Sequence, residues 1–361
     1  MHDDLLILAG KIAWERIREQ GLDPGDISVV AGASGAAKWL IISELDKAIF
    51  GPWMKDRRKP LLLFGTSIGA WKLAAASQND PAAALDALAD AYIHQYYKGR
   101  VTAGEVTREG RRILDAFIPQ ERVPEILSHP WMRFSLSTVR CRGFTASRGI
   151  FPQMVGLGTA FLANAASRRL LSLFFERALF CDPRGNPGFF QESEFPIQRI
   201  PLNDDNFRPA LLASGSIPLA MEGVMGIPGA RPGVYRDGGI LDYHPSSFGL
   251  AGENGIVCYP HFSMRLIPGW FDKALHTRKP APACLDHLLL LVPSPEFVSR
   301  LPYGRIPDRK DFERFHGRDT ERVAFWKEAV SKGRRLADAF MESVLGGSIR
   351  TKVRRLEDHL G

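Results

Sequence analysis

The chain has 361 residues, 45% of them hydrophobic and 24% charged, a composition typical of a globular protein that buries a substantial core. No stretch reaches the roughly 18 uncharged apolar residues that a membrane-spanning helix needs. The net charge of +7 comes from dispersed basic residues that match no nucleic-acid-binding module, and it favours either contact with an anionic membrane surface or simple solubility.

The cysteines and the N-terminus indicate a cytoplasmic protein. The four cysteines lie far apart without CxxC spacing, which fits a reducing compartment and argues against a zinc site or disulfide framework. The N-terminal sequence MHDDLLILAGKIAWERIREQ starts with acidic residues and has only a short apolar run, so it is not a secretory signal. We expect no metal and no other cofactor. The apolar residues of this segment predict an amphipathic helix with one shared face, formed by Leu5, Leu6, Ile12, Ala13 and Ile17.

The first part of the chain alternates strands with helices. Residues 26–31 (DISVVA) predict a strand that ends in the small-residue loop GASGAAK, and a helix follows from about Trp39 to Ile49. A second strand, PLLLFG, leads into a glycine-flanked turn and the helical sequence AWKLAAASQ. This order predicts a parallel sheet with helices on its faces.

Later segments continue the α/β pattern. Residues 79–123 are predicted to be mostly helical, and further helices are predicted around 155–179 and over 319–345. Strands are predicted in FSLSTVRCRGFTA, FFQESEFPIQRIPL, GIVCYPHF and HLLLLVP, and on both sides of Asp237. Because no repeat or low-complexity linker divides the chain, we expect one domain over residues 1–361. Its motif-bearing core spans about 26–262, and a C-terminal strand and helix extension spans about 285–361.

A serine lies between glycines where the second strand turns into a helix, in the sequence GTSIG. A serine hydroxyl acts as a nucleophile only with exposure, a base, and donors for the oxyanion that forms. A sharp strand-to-helix turn exposes Ser67, and Gly65 and Gly69 relieve the crowding of that turn. The alternative is a tight turn with Ser67 as the helix N-cap.

The histidines are poor candidates for the base. Only one strand precedes the GTSIG motif, which is too few for the α/β-hydrolase layout and its Ser–Asp–His triad. Of the nine histidines, His244, His261 and His287 are usefully late in the chain, but none has a recognisable catalytic context.

Asp237 is the better candidate for the base. It stands in the sequence GVYRDGGILDYHP, where Gly238 and Gly239 let the backbone approach another loop closely. The alternative is a hairpin turn, for which Asp-Gly is a strong signal.

The loop after the first strand supplies candidate donors for an oxyanion. Small residues at a helix N-terminus let successive backbone amides point into one space, and these residues are Gly32, Ala33, Ser34 and Gly35. The loop departs from the dinucleotide-binding pattern GxGxxG, and it lacks the Walker lysine-Ser/Thr pair, so a nucleotide site is a weak alternative.

In their order along the chain, the Gly-rich loop, GTSIG and the distant DGG resemble the motifs of patatin-like phospholipases, lipid acyl hydrolases that use a Ser–Asp dyad. The segment LLASGSIPLAMEGV (211–224) resembles the family segment that precedes the dyad aspartate. The resemblance covers about residues 26–262. It departs from the family in the loop, where alanine and serine replace part of a glycine run.

The resemblance implies a three-layer α/β fold with a central, mainly parallel sheet flanked by helices. It also implies Ser67 as nucleophile, Asp237 as base, and residues 32–35 as the oxyanion loop, acting on carboxylic (phospho)lipid esters through an acyl-enzyme. Expected partners are a lipid or other acyl-ester substrate and an anionic membrane surface. Residues 80–130 and 149–175 are candidates for an acyl-binding wall or lid, or for ordinary core packing. A thioesterase or acyltransferase with the same dyad, or a catalytically silent lipid-binding protein of the same fold, remain alternatives.

Overall fold

The computed structural model describes residues 4–97, 99, 101–185, 194–246, 255–281 and 284–359. A ten-stranded sheet lies at its centre. The strands are β1 (Leu5–Ala9), β2 (Ile27–Gly32), β3 (Leu61–Gly65), β4 (Met132–Cys141), β5 (Phe175–Cys181), β6 (Ile197–Pro201), β7 (Val234–Asp237), β8 (Ile256–Pro260), β9 (Leu288–Pro293) and β10 (Arg354–Arg355).

Helices occupy much of the rest of the described chain. They are α1 (Lys11–Gln20), α2 (Ser43–Ala48), α3 (Ile68–Ala76), α4 (Pro81–Ile93), α5 (Ala103–Phe117), α6 (Val123–Leu127), α7 (Ile150–Ala166), α8 (Phe207–Ser214), α9 (Pro295–Ser299), α10 (Asp311–Arg314), α11 (Asp319–Leu345) and α12 (Ile349–Lys352). The strand order is β10-β1-β9-β8-β2-β3-β4-β5-β6, with β7 paired to β4. Most of these pairs are parallel, and β1–β9, β4–β5 and β4–β7 are antiparallel. The predicted α/β class with a mainly parallel sheet is confirmed.

The centre of the sheet explains the unbroken apolar runs in the sequence. Parallel strands covered on both faces bury every side chain, so they read as continuous hydrophobic segments instead of alternating ones. β9 is buried along its whole length, which confirms the strand predicted in HLLLLVP. It lies between β1 and β8, so the C-terminal part of the chain contributes an internal strand of the sheet.

Two predicted helices do not have the expected bounds. Residues 5–9 form β1 instead of the start of an amphipathic helix, because their five apolar side chains are all buried beside β9. The helix begins only at Lys11, after Gly10, where any Cβ would meet the carbonyl oxygen of Leu285 at 1.8 Å. The helix expected around 155–179 ends at Ala166, and its C-terminal part belongs to β5, which is buried against β4.

β4 brings two distant strand ends together. Along one edge, its first half pairs with β3 up to Gly65 opposite Leu136, and its second half pairs with β7 from Asp237 opposite Thr138. The parallel strand β3 and the antiparallel strand β7 therefore point their C-terminal ends at each other along the same edge. This register places Asp237 beside the turn that follows β3.

Candidate active site

Ser67 occupies a strained turn between β3 and α3. Its backbone has φ +54° and ψ −132°, a region that non-glycine residues rarely adopt and that is concentrated at functional sites. A Cβ on Gly65 would lie 2.6 Å from the amide nitrogen of Ala70, and a Cβ on Gly69 would lie 2.2 Å from the carbonyl carbon of Gly32. The strand–turn–helix predicted at this motif is confirmed, and its glycines are required by close backbone packing.

The Ser67 hydroxyl donates a hydrogen bond to Asp237. The Oγ–Oδ2 distance is 2.7 Å, and the hydroxyl does not cap α3 although Ser67 stands at the N-cap position. The other carboxylate oxygen of Asp237 accepts the backbone N–H of Gly239 at 2.7 Å. The chain then enters a 3₁₀ turn over Gly238–Ile240 instead of a hairpin, so the strand predicted directly after Asp237 is wrong. Each oxygen of the Asp237 carboxylate therefore accepts one hydrogen bond, and these two bonds hold it against the Ser67 hydroxyl.

The two glycines after Asp237 have a steric role. A Cβ on Gly238 would lie 2.1 Å from the carbonyl oxygen of Ser137, and a Cβ on Gly239 would lie 2.5 Å from the Ser34 hydroxyl. Both close approaches hold the DGG turn against the neighbouring loop and strand. The flanking glycines singled out in the sequence therefore fix the position of the carboxylate.

Burial changes the acid–base character of Asp237. Removal of the carboxylate from water raises its pKa from 3.8 to about 6, against the opposing effect of the hydrogen bonds from Ser67 and Gly239. A carboxylate with a raised pKa is a stronger base toward a hydroxyl proton than an exposed one. The arrangement can therefore accept the serine proton near neutral pH.

A network of hydroxyl groups fixes the turn. The backbone N–H of Ser67 donates to Ser214 Oγ at 2.9 Å, and Ser214 Oγ donates to the carbonyl of Ser137 at 2.8 Å. Thr66 Oγ1 accepts from Ser34 Oγ at 2.9 Å and donates to the carbonyl of Asp242 at 2.7 Å. Ser214 lies in the segment 211–224, but its role as acceptor for the turn had no signal in the sequence.

The structure divides the four predicted oxyanion-loop residues into two groups. Gly32 is the last residue of β2 and packs on α3, where a Cβ would lie 2.4 Å from the carbonyl oxygen of Gly69. Gly32 and the adjoining Ala33 do not line the cavity at Ser67, whereas Ser34 and Gly35 do. The Ser34 amide, however, already donates to the carbonyl of Tyr243 at 2.9 Å.

The loop residues that line the cavity lie at the C-terminal end of the loop. Gly35 and Ala36 both line the cavity with Ser67, and they begin a 3₁₀ helix over Ala36–Ile42. First-turn amides of a helix have no partner inside that helix. Ala36 has a positive φ of +51°, so this part of the loop is strained, as Ser67 is. Ala36 was not singled out in the sequence.

Two cavities meet at Ser67. One, of about 680 Å³, is lined mainly by apolar side chains of α3, α5 and the segment after α8, including Trp71, Ile113 and Met221. The other, of about 380 Å³, contains Asp237 and several basic side chains. Part of the region 80–130, predicted as an acyl-binding wall or lid, thus lines the apolar cavity.

The basic side chains of the smaller cavity were missed in the sequence. They come from three segments that are far apart in the chain and are Lys38, Arg265, Lys273, Arg309 and Lys310. No single stretch combines them, so the sequence offers no spacing signal. Burial, followed by the nearby Lys38 charge, lowers the pKa of Lys273 to about 7.

The histidines near the site are held in other contacts. The Nδ1 atom of His244 accepts the Ile267 N–H at 3.0 Å, and that of His261 is held by the Ser263 backbone, 2.6 Å from its carbonyl oxygen and 2.9 Å from its nitrogen. Burial lowers the pKa of His244 well below 6.5 and that of His261 to about 3. In the described part of the chain, the partners found for the Ser67 hydroxyl and the Asp237 carboxylate are each other and Gly239.

No protein-family model matches the chain, and no curated protein is significantly similar to it in sequence. None of the described helices combines the length and the apolar character that a membrane crossing requires. Over the same residues, no three potential metal ligands of the His, Cys, Asp or Glu type come together.

Proposed function

We propose that this protein is a patatin-like serine acyl hydrolase that cleaves carboxylic esters of lipids, with Ser67 as nucleophile and Asp237 as its base. The observation that carries the proposal is the 2.7 Å hydrogen bond from Ser67 Oγ to Asp237 Oδ2 at a strained strand-to-helix turn. Nucleophile and base within hydrogen-bond reach, with the base oriented by a third group, is the general signature of covalent catalysis. Here Gly239 orients the base.

The proposed reaction proceeds in two acyl-transfer steps. Asp237 takes the hydroxyl proton while Ser67 Oγ bonds to the ester carbonyl carbon, and the amides of Gly35 and Ala36 stabilise the oxyanion. The ester C–O bond then breaks, and the departing alcohol takes the proton from Asp237. Water attacks the acyl-enzyme with Asp237 again as base, which releases the fatty acid and restores Ser67.

The two cavities fit the two sides of an ester. The apolar cavity of about 680 Å³ suits an acyl chain, because the transfer of a hydrocarbon out of water is favourable in proportion to the apolar surface that is buried. The smaller cavity receives the alcohol side. A cytoplasmic location belongs to the same proposal and is supported by the free thiols of the cysteines, which a reducing compartment preserves.

A fluorophosphonate probe tests the proposal directly. We expect one covalent adduct, mapped by peptide mass spectrometry to Ser67, and hydrolysis of p-nitrophenyl esters whose rate depends on chain length. Ser67→Ala removes both the adduct and the hydrolysis, and Asp237→Asn removes the hydrolysis. The matched control Ser299→Ala changes an exposed serine and keeps both.

Three outcomes distinguish the alternatives. An adduct with no ester hydrolysis but with turnover of thioesters, or with transfer to an added alcohol, replaces the hydrolase by a thioesterase or acyltransferase. A protein that binds fatty acid but forms no adduct is a lipid-binding protein, and the proposal fails. An adduct that persists in Ser67→Ala also refutes the assignment.

A further inference from the structure

The smaller cavity collects basic side chains that form no direct ion pair with a carboxylate of the described residues. In the described part of the chain, the Lys38 ammonium lies 5.4 Å from the ring centre of Phe262, and the Lys273 ammonium lies 3.8 Å from that of Tyr243. Neither side chain is among the ion pairs found there. A buried ammonium over a ring face gains only part of what an ion pair provides. The cavity therefore holds unsatisfied positive charge.

The carboxylates on the cavity wall do not balance that charge. Five basic side chains line the cavity against Asp237 and Asp308, and Asp237 is engaged with Ser67. The lowered pKa of Lys273 reflects burial first and then repulsion from Lys38. A negatively charged ligand stabilises the charged form of Lys273 and therefore offsets both effects on its pKa.

His244 adds a second, independent indication of a ligand. Its ring is 1% exposed and lines the same cavity. Because Nδ1 accepts the Ile267 N–H, the neutral ring carries its proton on Nε2. Among the residues that the structure describes, that buried Nε2 finds no hydrogen-bond partner, and buried polar atoms are generally paired with protein, water or ligand.

We propose that this cavity is a binding site for a phosphate monoester group on the alcohol side of the substrate, with Lys38 and Lys273 as its principal cationic contacts. This inference rests on the proposed function, because the phosphate group is assigned to the ester that Ser67 cleaves. Several cations around about 380 Å³ suit a compact, doubly charged group. A zwitterionic group such as phosphocholine places a fixed cation among them, and we expect it to be disfavoured.

Three substrates with the same short acyl chain, all monomeric in solution, test the site. They are 1-acylglycerol 3-phosphate, the corresponding 1-monoacylglycerol, and the corresponding phosphocholine ester. For wild-type protein we expect kcat/KM to be highest for the phosphate monoester. Lys273→Met lowers the phosphate-to-neutral ratio of kcat/KM by at least about tenfold, the effect of one lost charge-assisted contact. Any effect of this variant on Asp237 changes both rates together and cancels in the ratio. The control Lys55→Met removes an exposed lysine and keeps the ratio.

Direct binding separates this inference from the proposed function. Ser67→Ala protein is titrated calorimetrically with glycerol 3-phosphate and with inorganic phosphate, with and without Lys273→Met. Binding that favours glycerol 3-phosphate and weakens in the lysine variant supports the site even if no ester is cleaved. Equal binding of inorganic phosphate overturns the assignment to the alcohol side. Hydrolysis with an unchanged ratio overturns the phosphate site and leaves the hydrolase intact.

An outward-facing apolar surface around α7 carries a second inference. The α7 face, as we define it, consists of exposed large apolar side chains, namely Phe144, Ile150, Phe151, Met154, Val155, Phe161, Leu162, Leu170 and Leu173. Phe151 is 76% exposed and Leu162 is 68% exposed. The segment 149–175, predicted as acyl-binding wall, lid or core, therefore turns much of its apolar surface outward.

Charge and position indicate what covers this face. Residues 143–175 include no Asp or Glu. Arg168 is paired with Asp272 and Glu194, so the exposed cations of this segment are Arg148 and Arg169. The groove along α7 shares Trp270 and Lys273 with the phosphate cavity. An apolar face bordered by cations, beside the entrance to a candidate lipid site, matches the surface of an anionic bilayer in both hydrophobicity and charge.

We infer that the α7 face lies on an anionic lipid membrane, with its apolar side chains among the acyl chains at the interface. Co-sedimentation with phosphatidylcholine vesicles, with and without phosphatidylglycerol, measures this binding without requiring catalysis. The double variant Phe151→Ser, Leu162→Ser is expected to lose at least about tenfold in partition to the mixed vesicles. The control Leu345→Ser changes a residue that is 75% exposed on α11 and keeps the partition.

Two results overturn the membrane assignment. One is unchanged vesicle binding in the double variant. The other is a concentration-dependent dimer, seen by sedimentation velocity, that the double variant abolishes while vesicles bind neither protein. The second result would make the α7 face an interface between two copies of the chain.

Discussion

The Asp237 carboxylate is required by the proposed reaction, and we expect its burial to lower the free energy of unfolding. Asp237→Asn preserves the shape of the side chain, and its carbonyl oxygen can still accept the Gly239 N–H that now lies 2.7 Å from Oδ1. The amide carries no charge at any pH. We therefore expect an inactive protein that is more stable than wild type above neutral pH.

The magnitude follows from the pKa of Asp237. Burial raises it from 3.8 to about 6, and at about 1.4 kcal/mol per pH unit this corresponds to about 3 kcal/mol of lost folding free energy. Below the unfolded-state value both states are protonated, so the loss is absent. It grows between about pH 4 and pH 6, where the folded state holds the proton more tightly, and it is complete at higher pH.

Urea unfolding of wild type and Asp237→Asn at several pH values between 4 and 8 measures this effect. The difference in unfolding free energy should be near zero at pH 4 and about 3 kcal/mol in favour of the variant at pH 8. Ser67→Ala keeps the buried carboxylate and serves as an inactive control without stabilisation. Equal stability of wild type and Asp237→Asn across this range would refute the idea that burial penalises the charge.

Three further predictions concern the same region. The kcat/KM for ester hydrolysis should fall about tenfold per pH unit below about pH 6, because only ionised Asp237 accepts the proton; activity that persists to pH 4 would contradict this. Gly69→Ala should prevent correct folding, as seen by circular dichroism and solubility, since its Cβ would lie 2.2 Å from the β2 backbone. Gly51→Ala, where a Cβ meets nothing within 4 Å, is the tolerated control. Lys72→Met should lower the unfolding free energy by about 3 kcal/mol or more, because it leaves Asp46, 2.8 Å away and 1% exposed, as an uncompensated buried charge. The double variant Lys72→Met, Asp46→Asn should recover most of that loss in the same urea titration.

Local sequence patterns predicted the elements around Ser67 well. The apolar run before it and the small residues after it define β3 and α3 through local propensity and burial. The same logic failed at residues 5–9, because a short apolar run has no period that separates a buried strand from a helix. Pairing of that run with β9, more than 280 residues away in the chain, decided for the strand.

For the candidate site, too, local sequence determined some features and tertiary structure determined others. The sequence by itself determined a sharp turn at Ser67 and a glycine-relieved turn at Asp237, because both depend on the steric freedom of neighbouring glycines. Only the tertiary structure decided that β3 and β7 meet end to end along β4, which brings the serine and the carboxylate to 2.7 Å. It also decided that Gly35 and Ala36 line the cavity beside Ser67, and that cations from three separate segments converge in one cavity. Such convergence depends on strand register and long-range packing, which leave no periodic trace in the sequence.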